Sequence, residues 1–461
     1  MYLNSPGTEN VCMSLNFMGK KLRNHTVAPA TKPRAWETTT LSTYTDETVG
    51  RANLVRTRAV MPAMEDLPGS VPDLRADTWP CRPCAVHNTH LDQDGDTGKI
   101  RVFCRIRPMS RTETARGDST IVSRLDEYSI TVETARGQRE FQFDRIFDTK
   151  CSQEEVFQDT NSFLYPRLIQ SAIDGFNVCI FAYGQTGSGK TFTMVGGKNL
   201  KNPGIIPRTF NTIFDIIHEN EAKFDIKVSA YMMELYNDRL QDLFVSPAEA
   251  FAKRIEMKKD KKGLVFAQGA ETKEAASASE LFALFEQGCA NRHIAATKMN
   301  VESSRSHLII GIMMESRNLT NGSVCYGKLS LVDLAGSERA AKTGAKDSQL
   351  KEANSINKSL SALGDVISAL SSEQQHVPYR NNKLTQAMQD SLGGNAKTLM
   401  FVNISPSDCN VEETLTSLMY ATRVKAITNN AQRNMDSKEI AQLKEMIVKL
   451  RSGQPVEEEE V

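Results

Sequence analysis

The chain has 461 residues, of which 40% are hydrophobic and 24% charged, the usage of a globular protein with a large core. Lys and Arg together number 56, as do Asp and Glu, so the composition excludes a globally basic nucleic-acid binder but allows a basic patch. Nine irregularly spaced cysteines and the lack of a long apolar run favour a soluble protein of a reducing compartment over a secreted or membrane-spanning one.

Residues 1–97 are rich in Thr, Pro, Asn and Asp and keep no helical or strand period, so we expect them to be mostly disordered. Within them, Cys81, Cys84, His87 and His90 are side chains of zinc-ligand type. The spacing between the pairs is much tighter than in a zinc finger and no packed unit is predicted around them, which argues against a metal site without deciding the question. Order is predicted to begin near residue 98.

Strands and helices alternate beyond that point. The predicted strands are 100–106, 178–183, 226–236, 306–314 and 328–334. The predicted helices are 205–218, 278–293, 349–370, 387–392 and 413–427. Such alternation predicts an α/β fold with three layers, in which helices flank a central, mostly parallel or mixed sheet.

A last segment stands apart beyond residue 430. Asp436 and Glu439 have the spacing of a capping box and predict a helix that starts there. An apolar stripe at helical spacing follows, made of Ile440, Leu443, Met446, Ile447 and Leu450. Gly453 and Pro455 end the predicted helix, and the acidic run 457–460 comes after it.

A glycine-rich run between a buried strand and a helix fits the phosphate-loop pattern G-x-x-x-x-G-K-[ST]. Its backbone N–H groups are expected to cradle phosphate oxygens, Lys190 to reach the β- and γ-phosphates, and Thr191 to hold Mg²⁺. The predicted nucleotide ligands are Gly184, Gln185, Thr186, Gly187, Ser188, Gly189, Lys190 and Thr191. The pattern indicates that the protein binds a nucleoside triphosphate, but it does not indicate which process the energy of hydrolysis drives.

Two further segments carry polar groups that suit such a site. The run 300–307, Asn-Val-Glu-Ser-Ser-Arg-Ser-His, brings hydroxyls and a guanidinium together before a strand. The run 333–338, Asp-Leu-Ala-Gly-Ser-Glu, follows a buried strand, which puts Asp333 where a metal-binding Walker-B aspartate stands. Either segment alone is equally a solvated loop, and only the combination with the phosphate loop is specific.

The three segments together resemble the kinesin motor domain, over residues 98–430. The resemblance implies a P-loop NTPase fold, ATP as nucleotide, Mg²⁺ as metal ion, and a motor ATPase of the cytoplasm that moves along cytoskeletal microtubules. It implies an adenine contact made by Arg105, Arg107, Pro108 and Phe192, and a metal site made by Thr191, Ser304 and Asp333. It implies a catalytic set of Lys190, Ser303, Arg305, Gly336 and Glu338, in which Gly336 senses the γ-phosphate and Arg305 pairs with Glu338.

The microtubule contact is implied on the same grounds. The run 376–385, His-Val-Pro-Tyr-Arg-Asn-Asn-Lys-Leu-Thr, resembles the tubulin-facing segment of kinesins, and lysines flank the predicted helix 349–370. The implied contact residues are Lys342, Lys346, Lys351, Lys358, His376, Tyr379, Arg380 and Lys383. Taken singly, each lysine is equally a solvated surface charge.

Residues 98–108 and 359–370 resemble the C-terminal-motor, minus-end-directed class of kinesins. Residues 391–403 and 436–440 are most similar to the kinesin-like calmodulin-binding protein of plants and green algae. This likeness implies minus-end movement and inhibition by Ca²⁺-calmodulin bound to the apolar stripe of 440–450; a short solvated helix or coiled-coil stub is an equal alternative. Residues 1–97 lack the coiled-coil neck of that class, so the direction of movement and the oligomeric state stay open.

We therefore expect three parts: a disordered extension (1–97), a motor domain (98–430) and a regulatory helix with an acidic tail (431–461). No nucleic-acid or membrane partner is expected. One alternative is a non-motile microtubule-binding regulator with weak ATPase activity, and another is a P-loop NTPase with no filament partner. The intact phosphate-loop and 333–338 residues argue against the first, and the run 376–385 argues against the second.

Overall fold

The computed structural model of the protein describes residues 98–161, 167–197, 201–260, 263–299, 303–338 and 348–452. The predicted disorder of residues 1–97, the Cys and His residues at 81–90 and the acidic run 457–460 lie outside these residues. In the part described, no helix combines the length and the apolarity that a bilayer crossing requires.

Strands and helices alternate along the described chain. The strands are β1 (Arg101–Ile106), β2 (Val122–Arg124), β3 (Ser129–Thr134), β4 (Gly137–Gln142), β5 (Arg145–Phe147), β6 (Asn177–Tyr183), β7 (Phe224–Tyr236), β8 (Arg239–Asp242), β9 (Glu256–Lys259), β10 (Val265–Gln268), β11 (Lys273–Ala275), β12 (His307–Asn318), β13 (Val324–Asp333), β14 (Lys397–Ile404) and β15 (Met435–Asp436). The helices are α1 (Arg111–Arg116), α2 (Gln153–Thr160), α3 (Leu168–Ile173), α4 (Lys190–Met194), α5 (Ile205–Asn220), α6 (Pro247–Ala252), α7 (Ala278–Met299), α8 (Ser348–Ser371), α9 (Lys383–Ala387), α10 (Val411–Lys425) and α11 (Lys438–Arg451).

The central sheet is mixed, with the order β11-β7-β12-β13-β6-β14-β1-β5. Strands β13, β6, β14, β1 and β5 run parallel to one another. Strand β12 pairs antiparallel with β13, and β12, β7 and β11 are antiparallel in turn. All seven residues of β6 are buried, as expected for a parallel strand covered on both faces. The carboxyl ends of β1, β14, β6 and β13 therefore lie side by side, which is where α/β sheets bind ligands.

Helices cover both faces of this sheet, and each face has its own core. On one face, Leu363 of α8, Leu384 of α9 and Leu418 of α10 are fully buried. On the other face, Ile169 of α3, Ile213 of α5 and residues of α7 form the second core. The predicted α/β fold with helices flanking a mixed sheet is confirmed.

Two local predictions are wrong. The helix expected at 387–392 lies earlier, at 383–387, because the Asn382 side chain accepts the N–H of Leu384 and starts the helix there. The last helix is capped by Ser437 and not by Asp436, since the Ser437 hydroxyl accepts the N–H of Ile440. Asp436 instead lies in β15, which pairs with β13, and its buried carboxylate binds Lys444.

The segment between α10 and α11 is held along the sheet by backbone and amide hydrogen bonds. The Asn429 side chain is buried and donates to the carbonyl oxygens of Ser391 and Ala396. Further on, the N–H of Asn434 donates to Gly175 O at 2.8 Å and the N–H of Tyr326 donates to Asn434 O at 2.9 Å. These contacts lead the chain back along β13 before α11 begins.

Candidate functional site

The phosphate loop lies between β6 and α4. Gly184, Gly187 and Gly189 have φ angles of +148°, +76° and +102°, which favour glycine. At Gly184 a side chain is also excluded by space, because a Cβ atom would overlap the carbonyl oxygen of Asn403 at the end of β14. The sequence thus folds this loop tightly against the carboxyl ends of two neighbouring strands.

Lys190 is buried inside the loop. Its Nζ donates to the carbonyl oxygens of Gly184 at 2.9 Å and Gln185 at 3.0 Å. Burial lowers the pKa of Lys190, while the charges of Asp333 and Glu338 act in the opposite direction. An ammonium group that faces only carbonyl oxygens in a buried loop is well suited to exchange them for phosphate oxygens.

Asp333 ends β13 beside the first turn of α4. Its Oδ2 accepts the hydroxyl of Thr191 at 2.6 Å, whereas its buried Oδ1 has no hydrogen-bond partner. Burial raises the pKa of Asp333, and the charge of Lys190 and the bond from Thr191 act against that rise. Mg²⁺ prefers oxygen ligands. The free carboxylate oxygen of Asp333 and the neighbouring Thr191 hydroxyl are ligands of this kind, so these residues fit the implied metal ion.

The residues after Asp333 contact both the phosphate loop and the segment before β12. The N–H of Gly336 donates to Ser304 O at 2.8 Å, and the N–H of Ser337 donates to Gly184 O at 3.1 Å. The Glu338 carboxylate accepts the backbone N–H and the hydroxyl of Thr186, at 2.7 and 2.5 Å. The three predicted segments therefore meet in one place.

One predicted member of the catalytic set, Ser303, is described only in part. Ser303 lies in a short 3₁₀ turn, Ser303–Arg305, and its side chain is outside the described atoms. Arg305, in the same turn, is half-buried. The geometry therefore brings Ser304, Gly336 and Glu338 to the loop.

The expected adenine contacts lie at the outer end of the loop. The guanidinium of Arg105 lies over the ring of Phe192, 5.2 Å from its centre, and the ring is 42% exposed. Arg107 donates from Nε to Gly187 O at 2.7 Å, and Pro108 is exposed. A half-exposed ring beside a cation offers a stacking face to a planar base.

Sequence reasoning missed the residues that hold these arginines in place. Gln153 and Thr193 accept from Arg105 Nη1 at 2.6 and 3.0 Å, and nothing in the local sequence signals them. The buried Glu113 accepts from Arg107 through both carboxylate oxygens, at 2.6 and 2.7 Å. Ser110 and Glu113 form a capping box on α1, a pattern that the sequence does contain.

Replacing Glu113 by glutamine is expected to lower the free energy of unfolding by about 2 kcal/mol near neutral pH, since the charge-assisted pair with Arg107 is lost. That pair lowers the pKa of Glu113 from 4.5 to about 2. The stability it contributes is therefore present above pH 4.5 and is lost as the pH falls toward 2. Urea unfolding of Glu113→Gln across this range measures the effect, and the exposed Glu140→Gln is the control. If the difference in unfolding free energy between the original chain and Glu113→Gln did not shrink in acid, the pairing of Glu113 with Arg107 would be contradicted.

The expected microtubule residues lie near α8 and α9. Lys351 and Lys358 are on α8; the Lys351 side chain is outside the described atoms, and Lys358 is exposed. His376 and Arg380 are exposed and Lys383 is half-buried, while Lys342 and Lys346 lie outside the described residues. Tyr379 turns inward, and its hydroxyl donates to Leu392 O at 2.5 Å.

The apolar stripe of α11 lies in solvent. The exposed fractions of Ile440, Leu443, Met446, Ile447 and Leu450 are 47%, 56%, 36%, 47% and 67%. By contrast, Ala441 of the same helix is buried, and Lys444 lies over the ring of Tyr326. The helix is thus attached by one side.

The fold and the site define a P-loop nucleoside triphosphatase. The family model "Kinesin motor domain" matches residues 105–427, which is more than half of the chain. The chain therefore belongs to the kinesin motor-domain family. Motor domains of this family are microtubule-dependent ATPases, and kinesin motors are cytoskeletal proteins of the cytoplasm.

Named relatives place the chain near one class of plant kinesins. It is 49% identical over 367 residues to the Kinesin-like protein KIN-14E of Arabidopsis thaliana, with 79% of this chain covered. It is 52% identical over 351 residues to the Kinesin-like protein KIN-14I of Oryza sativa subsp. japonica, with 76% covered. The chain spans only 28% of the length of each of these relatives.

A solved structure gives the same assignment. The structure of a fast kinesin, described with implications for ATPase mechanism and interactions with microtubules, is similar to this chain with a TM-score of 0.68 and 39% identity. The match covers 74% of this chain and 94% of that one. The resemblance noted from the sequence is thereby confirmed at the level of the motor domain.

Proposed function

We propose that the chain is a microtubule-stimulated ATPase that converts ATP hydrolysis into movement along microtubules. The observation that carries the proposal is the joint contact of the phosphate loop with the 333–338 segment, through Thr191 and Asp333 and through Thr186 and Glu338. Membership of the kinesin motor-domain family supports the microtubule as the track. The steady-state ATPase assay that closes the Discussion tests this proposal.

Each residue then has a role in hydrolysis. Lys190 binds the β- and γ-phosphates, and Thr191, Ser304 and Asp333 hold the metal ion. Mg²⁺, when bound, neutralises charge on the phosphates. Ser303 positions the attacking water, and Arg305 and Glu338 close the site around it. A covalent nucleophile is not needed, because positioning and charge stabilisation account for this kind of phosphoryl transfer.

The mechanical step begins at Gly336. Its N–H donates to Ser304 O, and a γ-phosphate oxygen is a competing acceptor for that N–H. Helix α8 is the next described element after this segment in the chain, and we infer that a displacement of Gly336 is passed on to α8. Moving a two-state element from 1:99 to 99:1 requires about 5.5 kcal/mol of differential binding, which a charged phosphate with its metal ion can supply.

Binding to the acidic microtubule surface is expected to depend on the cations near α8 and α9, of which Lys358 and Arg380 are exposed and Lys383 is half-buried. The triple variant Lys358→Ala, Arg380→Ala and Lys383→Ala is expected to weaken microtubule binding roughly tenfold at low salt, with less effect at high salt. Co-sedimentation with stabilised microtubules measures it. The matched control removes three positive charges elsewhere on the surface, at the exposed Lys150, Lys201 and Lys223. Equal loss of affinity in both variants would remove the support for a specific basic face.

The plant relatives support two finer proposals. Their class implies movement toward the microtubule minus end, and a gliding assay on polarity-marked microtubules tests this direction. The exposed apolar stripe of α11 supports a helix-in-groove contact with Ca²⁺-calmodulin or a related Ca²⁺ sensor. A bound sensor on this helix lowers the affinity for microtubules.

The calmodulin proposal has a direct test. Excess Ca²⁺-calmodulin is expected to reduce co-sedimentation of the full chain with microtubules several-fold, and chelation of Ca²⁺ is expected to restore it. The variant Ile447→Asp places a charge in the stripe and is expected to abolish the effect. The exposed Glu439→Gln, on the same helix, is the control. Unchanged co-sedimentation with excess calmodulin would refute the proposal.

A further inference from the structure

A buried histidine joins the two nucleotide-facing segments to α8. His307 is the first residue of β12, directly after the 300–306 segment, and is 2% exposed. Its Nδ1 accepts the backbone N–H of Ala335 at 3.0 Å, and its Nε2 lies 2.8 Å from the hydroxyl oxygen of Ser359 in α8. One imidazole ring therefore contacts three elements that are far apart in the sequence.

The hydrogen bonds allow only one arrangement of protons. Since Nδ1 accepts an N–H, the ring proton is on Nε2 and is donated to Ser359. The Ser359 hydroxyl in turn donates to Ile356 O at 2.7 Å. Burial lowers the pKa of His307 to about 3, and the charges of Arg292 and Lys190 act in the same direction, so the ring stays neutral near neutral pH. Both ring nitrogens are thus engaged, and the ring has one orientation.

The pair lies between the nucleotide side and the expected microtubule side. Ala335 directly precedes Gly336, so a displacement of Gly336 moves the N–H that His307 accepts. Ser359 directly follows Lys358, whose side chain is exposed. Lys358 Nζ donates to Asp238 Oδ2 at 3.2 Å. A shift at Ala335 therefore reaches the exposed surface of α8 through two hydrogen bonds.

We propose that His307 and Ser359 are a positioning pair that couples the 333–338 segment to α8 during the motor cycle. The inference rests on the proposed function, because it presupposes that microtubules stimulate ATP turnover. A histidine that merely fills the core would affect stability alone. A coupling histidine affects the ratio of stimulated to basal turnover.

The variant Ser359→Ala removes the acceptor at α8 and leaves every nucleotide ligand unchanged. In the full chain, microtubule-stimulated kcat is expected to fall about five-fold, the size expected for one buried hydrogen bond. Basal ATPase and ATP affinity are expected to stay within about two-fold. The control is Ser371→Ala on the same helix, whose hydroxyl donates only to Ser368 O at 3.2 Å.

A second variant separates coupling from folding. His307→Asn keeps an acceptor for the Ala335 N–H but is too short to reach Ser359. It is expected to lose stimulation like Ser359→Ala, and the double variant is expected to lose no more than either single one, since both act through one bond. If one variant fails to fold, the other still gives the ratio of microtubule-stimulated to basal ATP turnover.

Two results would overturn the inference. One is stimulation by microtubules in Ser359→Ala or His307→Asn equal to that of the original chain. The other is an equal fall of basal and stimulated rates with a lowered Tm, which indicates a structural role only. Failure of the proposed function is distinct from both, because the original chain itself would then show no stimulation.

Discussion

Replacing Gly336 by alanine is expected to lower ATP turnover by about 100-fold or more, with and without microtubules, while ATP affinity changes only a few-fold. A Cβ atom at this position would overlap the Thr186 hydroxyl and the Glu338 carboxylate. The variant therefore separates Glu338 from the phosphate loop and holds Gly336 away from the γ-phosphate. Single-turnover kinetics and the binding of a fluorescent ATP analogue measure the two quantities.

The chain offers a matched glycine for this test. Gly364 lies in α8, where a Cβ atom would meet only Cε2 of Tyr420, at an ordinary 3.8 Å. Gly364→Ala is expected to keep its turnover and to gain a little stability, because alanine favours the helix. Turnover by Gly336→Ala close to that of Gly364→Ala would mean that Gly336 does not sense the γ-phosphate.

The variant Lys190→Met is expected to weaken ATP binding by about 100-fold, because two charge-assisted contacts to phosphate oxygens are lost and the rest of the loop is kept. Methionine is close in length to lysine, so the buried site stays filled. The comparison of ATP with adenosine isolates the effect: adenosine, which lacks phosphates, is expected to bind both proteins equally. Equilibrium titration by calorimetry measures both ligands.

The exposed Lys227→Met is the control for the loss of one positive charge. It is expected to bind ATP as the original chain does. If Lys190→Met retained full affinity for ATP, the ammonium group would have no phosphate contact and the assignment of the loop would be wrong. If both ligands weakened equally, the variant would have disturbed the fold of the loop.

The phosphate loop could be predicted from sequence because its requirements are local. Glycines with positive φ, a lysine and a threonine are contiguous, and the strand before them is entirely apolar apart from its first residue, Asn177. Asp333 could be placed for a similar reason, since a carboxylate directly follows a run that reads as a buried strand. The order of the sheet then brings both to one edge.

The contacts that hold the site together could not be predicted, because they join distant parts of the chain. Gln153 and Asn403 reach the loop region from α2 and β14, and His307 reaches Ser359 across 52 residues of sequence. Apolar periodicity predicts a helix at 387–392 instead of 383–387, because the helix start depends on Asn382, a cap that periodicity does not reveal. The exposure of the α11 stripe also depends on how β15 docks on β13.

The most direct test of the account is the steady-state ATPase rate of the full chain with and without stabilised microtubules, at low salt. We expect strong stimulation that saturates with microtubule concentration and weakens as salt is added. This result would establish coupling between the nucleotide site and the track. Intact microtubule binding with an ATPase rate that ignores microtubules would contradict the account and favour a non-motile regulator.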